Sequence, residues 1–136
     1  MSSCAGDVKS AEDLLSDLTE DITELPDGNV YKKSAEGGDK SFLSPALCEA
    51  LYGSSAQSDK LPLTEDFAIY LSSFAIPCEI AVFKCYSASD TDVIAGMLLS
   101  RISELKVLLA ESEFLYLAES ATLDIDGKFV IMKMIP

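Results

Sequence analysis

Three side chains in the stretch "PCEIAVFKCY", residues 77–86, are of types that do chemistry: Cys78, Glu79 and Cys85. A thiolate is a nucleophile or a soft-metal ligand, and burial among apolar residues raises a carboxyl pKa toward the range of a general acid or base. Each needs a companion. The chain contains no histidine, which removes the usual general base near neutral pH and the commonest co-ligand of cysteine around zinc. The cysteines, Cys4, Cys48, Cys78 and Cys85, form no C-x-x-C pair, so their spacing gives no zinc site. An odd separation along a regular strand places Cys78 and Cys85 on opposite faces, which argues against a bond between them. The thiols therefore read as small buried hydrophobes. A disulfide through Cys48 is the alternative. Catalysis ranks last, because only Lys84 adjoins a thiol whose pKa it could lower.

Glu79 alone is not a mechanism. A glycosidase requires a second carboxylate across a cleft, and nothing in the sequence singles one out. Pairing with Lys84 or Arg101, or exposure at the start of a strand, accounts better for a lone acid at this position. The tetrapeptide "DIDG", Asp124 to Gly127, has the alternate carboxylates that open a calcium loop, but the later ligands are missing and "KFVIMKM" has the pattern of a strand. The sequence has no glycine-rich phosphate loop, no G-x-S-x-G and no paired metal motif. We expect no catalytic residue, no cofactor and no metal; the region that opened the question should be core.

The elements that must hold these residues are legible from period and punctuation. "SAEDLLSDLTEDITELP" opens with Ser10 and Asp13 as a capping pattern, carries Leu14, Leu18 and Ile22 on one face, and predicts an amphipathic helix ending before Pro26. Val30-Tyr31 can begin a short strand after the Asp27-Gly28 turn signal. "FLSPALCEALYG" has Ser44 as cap, Pro45 at the first helical position and Gly53 past the end. "FAIYLSSF" alternates and "CEIAVFKCY" is apolar on both parities, predicting a strand followed by a central one with little solvent on either face. "SASDTDVIAGMLLSRISELKVLLA" predicts a long helix capped by Ser89, with Val93, Met97, Ile102, Leu105 and Leu109 along its apolar stripe, flanked by Ile94, Leu98 and Leu108. Gly96 inside it points to close backbone packing. "ATLDIDGKFVIMKM" predicts a hairpin turning at Asp126-Gly127 with Leu123 opposite Val130.

The expected fold class is α+β: an antiparallel sheet of about four strands, as two hairpin-like pairs in ββαββ order, with one long helix on a face, preceded by an acidic helix and a short helix. Residues 10–136 form a single domain, for which 136 residues and 49% hydrophobic content suffice. Residues 1–9 read as a flexible N-terminus. The formal charge of −13 makes nucleic acid and anionic headgroups poor partners. Between Asp7 and Asp27, eight carboxylates face Lys9 alone. This is a solvated helix face or, as the alternative, a docking surface for a basic partner. No apolar run is long enough to span a bilayer.

The segments "FLSPALCEALYG", "FAIYLSSFAIPCEIAVFKCYSASDTDVIAGMLLSRISELK" and "LAESATLDIDGKFVIMKMIP" together resemble an uncharacterised family of small bacterial proteins, a domain of unknown function found mainly in Gram-positive anaerobes. The likeness runs from about Pro26 to Pro136. The resemblance implies a location more than an activity, since such proteins are often lipoproteins on the outer face of the cell membrane. "MSSCAG" looks like the tail of a lipoprotein signal, with Cys4 as the lipid-attachment residue of a longer native chain; the hydrophobic region that should precede it is absent here. The resemblance carries no catalytic residues. The expectation is thus a non-catalytic surface module that binds a protein or small ligand and meets the membrane only through a lipid anchor. The alternatives are a cytosolic interaction or regulatory domain using the acidic helix and, less favoured, a carboxylate-based hydrolase.

Overall fold

A computed structural model describes residues 9–73 and 75–136. The chain runs α1 (Ala11–Thr19), β1 (Gly28–Lys32), α2 (Pro45–Tyr52), β2 (Thr64–Ser72), β3 (Glu79–Cys85), α3 (Thr91–Leu108), α4 (Leu115–Glu119), β4 (Thr122–Asp126) and β5 (Phe129–Met134). A π-helical turn, Ala56–Lys60, and a 3-10 turn, Leu61–Leu63, lead from α2 into β2. The five strands form one antiparallel sheet in the order β1-β2-β3-β5-β4. This is the expected α+β architecture, with Gly28–Lys32 added as an edge strand to the two hairpin pairs.

Helices cover both faces. Phe67 and Ile69 of β2, Ala81, Phe83 and Cys85 of β3, and Val130, Met132 and Met134 of β5 face α2 and α3. The opposite parity, Ala68, Tyr70, Ile80, Val82, Phe129 and Ile131, is closed by Ala11 and Leu15 of α1. That double cover is why every residue of β3 is buried, as its two-sided apolar sequence requires. It also gives the acidic helix a structural role: its apolar face is part of a core, and its carboxylates are what remains outside.

Local chemistry sets most boundaries. Ser10 Oγ accepts from Asp13 N–H at 3.0 Å, and Ser44 Oγ accepts from Leu47 N–H at 3.1 Å. α1 stops at Thr19, short of Pro26. No basic residue stands in its last turn, and Glu20, Asp21 and Glu24 lie where the dipole disfavours negative charge. Ile22 and Leu25 reach the core from an irregular segment instead. Ser89 does not cap α3; it lies in a 3-10 turn, Ala88–Asp90, whose own N-terminus is capped by Ser87. α3 buries Ile94, Ala95, Met97, Leu98, Ile102 and Leu105, while Val93 and Leu108 of the expected stripe are exposed, as are Leu99 and Val107.

Two glycine positions contrast. At Gly28 a Cβ would lie 2.2 Å from the Leu71 carbonyl oxygen, so β1 can approach β2 there only without a side chain. Gly96 is exposed with nothing within 4 Å of a Cβ, so the close packing expected of it is absent. The β4–β5 turn is Gly127-Lys128 rather than Asp126-Gly127. Asp126 pairs with Phe129, Leu123 with Met132, and only Gly127 has positive φ. A single glycine at the first turn position gives a type II′ geometry, which suits the twist of the hairpin.

Candidate functional site

The first residue of β3, Glu79, points toward α3 with its carboxylate almost wholly removed from solvent. Arg101, two-thirds along α3, meets it with a guanidinium fork. Its Nε donates to Oε1 at 3.3 Å and to Oε2 at 3.1 Å, and its Nη2 donates to Oε1 at 2.9 Å. The outward Nη1 donates to Glu104 Oε1 at 2.8 Å, one helical turn on. Side-chain exposure is 3% for Glu79, 10% for Arg101 and 50% for Glu104, so one pair is internal and the second closes over it. Burial lowers the Arg101 pKa, but the Glu79 hydrogen bond and charge outweigh it and leave the guanidinium raised. The Arg101 expectation for Glu79 is met; Lys84 lies on the other face.

Tyr52, the last residue of α2, completes the cluster. Its ring stands edge-on to Phe83 at 5.8 Å. Its Oη is buried and makes no hydrogen bond among the described residues. Burial first, and the Glu79 charge second, hold the phenol well above its usual pKa. An open cleft of about 250 Å³ runs between α2 and α3 beside it, lined by Glu49, Tyr52, Met97, Ser100, Arg101 and Glu104. Chemically, Arg101 occupies both carboxylate oxygens of Glu79, and the phenol beside it stays protonated.

The α1 face handles its charge differently. Lys84 Nζ donates to the Lys9 carbonyl at 3.1 Å, lies 3.8 Å from Glu65 and sits 5.6 Å over the Phe129 ring. Nearby, Asp66 Oδ2 accepts from Ala11 N–H at 2.9 Å, capping α1 from the sheet. A second cavity of about 180 Å³ under α1 is bounded by Glu12, Leu15, Thr19, Leu25, Val30 and Tyr70; the Tyr70 hydroxyl donates to the Pro26 carbonyl.

Cys48, Cys78 and Cys85 are free and buried. Cys78 belongs to the α1 layer, and Cys48 and Cys85 to the α3 layer, so the sheet separates the two thiols of the opening stretch. Burial raises Cys48 and Cys78; burial, with the Asp90 charge second, pushes Cys85 up to about 11. Cys4 lies outside the described residues. Asp124 and Asp126 project from β4 into solvent, and no group of three or more metal-ligating side chains gathers among the described residues. Tyr52 and Glu104 escaped the sequence reading. Glu104 had a signal, the i,i+3 spacing from Arg101, whereas nothing local to "CEALYG" places its tyrosine against β3.

No protein-family model matches this sequence, and neither the curated proteins nor the solved structures include one that matches it.

Proposed function

We propose that the chain is a non-catalytic binding module, a surface lipoprotein in its longer native form, anchored through Cys4 and engaging a protein or small ligand. The observation that carries this reading is the internal Glu79–Arg101 fork. The one acid whose surroundings suggested catalysis is neutralised by a partner that leaves it no free oxygen and almost no exposure. The thiols support the same reading, being buried, separated by the sheet and raised in pKa, the reverse of an activated nucleophile. The lipid anchor rests on the "MSSCAG" context and on the resemblance to small lipoproteins of unknown function. A second reading, an interaction or regulatory domain using α1 and the acidic segment that follows it, is favoured by the exposure of Asp13, Glu20, Asp21 and Glu24, none of which is in an ion pair among the described residues.

The test is chemical labelling of the folded protein. Iodoacetamide at neutral pH and a carboxylate-directed epoxide should leave Cys78, Cys85 and Glu79 unmodified by mass spectrometry until denaturant is added. Rapid modification of Glu79 or either thiol in the native protein would overturn the non-catalytic reading. For the anchor, tritiated palmitate should enter the native reading frame expressed in a Gram-positive host and be lost in Cys4→Ser; a chain that stays unlabelled in both forms refutes lipidation.

A further inference from the structure

The two edges of the sheet are finished differently. At β1 the outer side is covered, since Lys32 N–H donates to the Ser41 carbonyl at 2.9 Å and Asn29 Nδ2 donates to the Lys40 carbonyl at 2.6 Å. At β4, pairing on one side is to β5, and no described residue bonds the other side. A two-residue turn makes Asp126 and Phe129 a hydrogen-bonded pair, so Asp126 and Asp124 direct their backbone groups to β5, and Leu123 and Ile125 direct theirs outward. Such a row of open donors and acceptors is a template for another strand.

The side chains along that edge specify what the strand should be. Ile125, 48% exposed, lies with the partly buried Leu123 on the α3 side of the pleat, while Thr122, Asp124 and Asp126 point to the other side and into solvent. Residues 111–126 contain Glu111, Glu113, Glu119, Asp124 and Asp126 with no lysine or arginine. None of the five is in an ion pair among the described residues, although Lys128 and Lys133 belong to the same hairpin. By contrast, α1 has Glu12 and Asp17 paired with Lys32 and Lys9. Two copies of β4 joined edge to edge would bring Asp124 and Asp126 against their own kind, in a molecule already at −13, which is repulsive.

We propose that the outer edge of β4 takes up an extended segment of a partner protein in which basic and apolar residues alternate, as a sixth strand of the sheet. Its basic side chains lie beside Asp124 and Asp126, its apolar ones beside Leu123 and Ile125, and its backbone bonds to Leu123 and Ile125. The proposal rests on the binding-module reading and gives that partner its chemistry.

The experiment titrates the protein with a fluorescent ten-residue peptide alternating lysine with valine and threonine, and maps the site by amide hydrogen exchange. Saturable binding that slows exchange at Leu123 and Ile125 is expected. A peptide with glutamate for lysine, or with the same composition in separate blocks, should bind at least tenfold more weakly. Asp124→Lys/Asp126→Lys should lose at least tenfold. Ile125→Pro, which removes an outward N–H and leaves the β5 ladder whole, should abolish binding; thermal melts establish that each variant folds, and the charge-reversed variant decides alone if the proline does not. Absence of saturation at millimolar peptide, unchanged binding by the charge-reversed variant, or protection mapping to α1 would overturn the proposal. A peptide that fails to bind leaves the labelling result at Glu79 standing, and labelled Glu79 leaves the peptide result standing, so the two readings fail separately.

Discussion

Strand β3 sends one acid and one base into layers that are otherwise apolar, Glu79 toward α3 and Lys84 toward α1, and the two layers satisfy them by different means. Glu79 meets a guanidinium fork from a side chain that is itself nine-tenths covered. Lys84, also buried but on a flexible stem, reaches a backbone carbonyl, a half-exposed Glu65 and the face of the Phe129 ring. The fork holds α3 in one register on the sheet, because moving the helix by a turn would strand two charges in the core. The lysine permits adjustment, because a point charge on a flexible stem keeps its contacts over a range of geometries that a bidentate fork does not. The difference shows where this small domain keeps geometric precision: on the α2–α3 side, not beneath the acidic helix.

Breaking the fork is therefore the largest effect to expect. Glu79→Ala leaves Arg101 buried without its main partner and should lower stability by about 3–5 kcal/mol in urea titrations. Lys84→Met keeps the stem over Phe129 and loses the bond to the Lys9 carbonyl and the contact with a half-exposed Glu65, so its cost should be about 1–2 kcal/mol. The double replacement Glu79→Leu/Arg101→Met should recover much of the single-variant loss, since an apolar pair of similar volume often matches a buried ion pair. A Glu79→Ala loss no larger than that of Lys84→Met would erase the distinction between the layers.

Alkali should strain the α3 layer next. A thiol raised on folding stays protonated in the native state while the unfolded chain ionises. Its contribution is thus complete below the ordinary thiol value of 9.0 and is lost as pH climbs toward about 11 for Cys85. Each group in this position contributes a slope of about 1.4 kcal/mol per pH unit. Stability measured from pH 8.5 to 11 should fall, and Cys85→Ala, though less stable at neutral pH, should fall less steeply. Parallel curves for the two proteins would show that Cys85 does not titrate as its burial requires.

These contrasts also mark what the residues could disclose in advance. The period of β2, the two-sided apolar run of β3 and the punctuation of α2 are local signals, and the structure follows each. For Glu79 the residues offered Lys84, Arg101 or exposure at the strand start; the structure selects Arg101, because strand parity turns Lys84 to the other face. The double cover was half legible: β3 is apolar on both parities, yet nothing in "SAEDLLSDLTED" says that its leucines close the sheet rather than a partner. α3 misled at its ends, where Val93 and Leu108 fit the stripe by period but lie exposed. Tyr52 depended on a long-range contact, and the β4 edge depended on strand order, neither of which has a sequence period.

The unpaired phenol offers a smaller test of the same layer. Tyr52→Phe removes a buried hydroxyl that has no hydrogen-bond partner among the described residues and keeps the ring against Phe83. Folding should gain about 1 kcal/mol, because the desolvation of an unmade hydrogen bond is relieved. A loss instead would mean that the hydroxyl has a partner in solution, and the cleft between α2 and α3 would then become the place to look for it.

The smallest expected change separates helix propensity from packing. Gly96 is exposed, and a methyl group there meets nothing within 4 Å, so its cost to α3 is intrinsic to glycine. Gly96→Ala should raise stability by about 0.5–1 kcal/mol without altering the Glu79–Arg101 fork five residues further along the helix. At Gly28, where the same methyl would press on the Leu71 carbonyl, alanine should destabilise instead. If both substitutions stabilised the protein, β1 would have to lie farther from β2 than its pairing implies. If both destabilised it, the outer face of α3 around Gly96 would be covered in solution, and the cover would lie on the side of the helix away from the sheet.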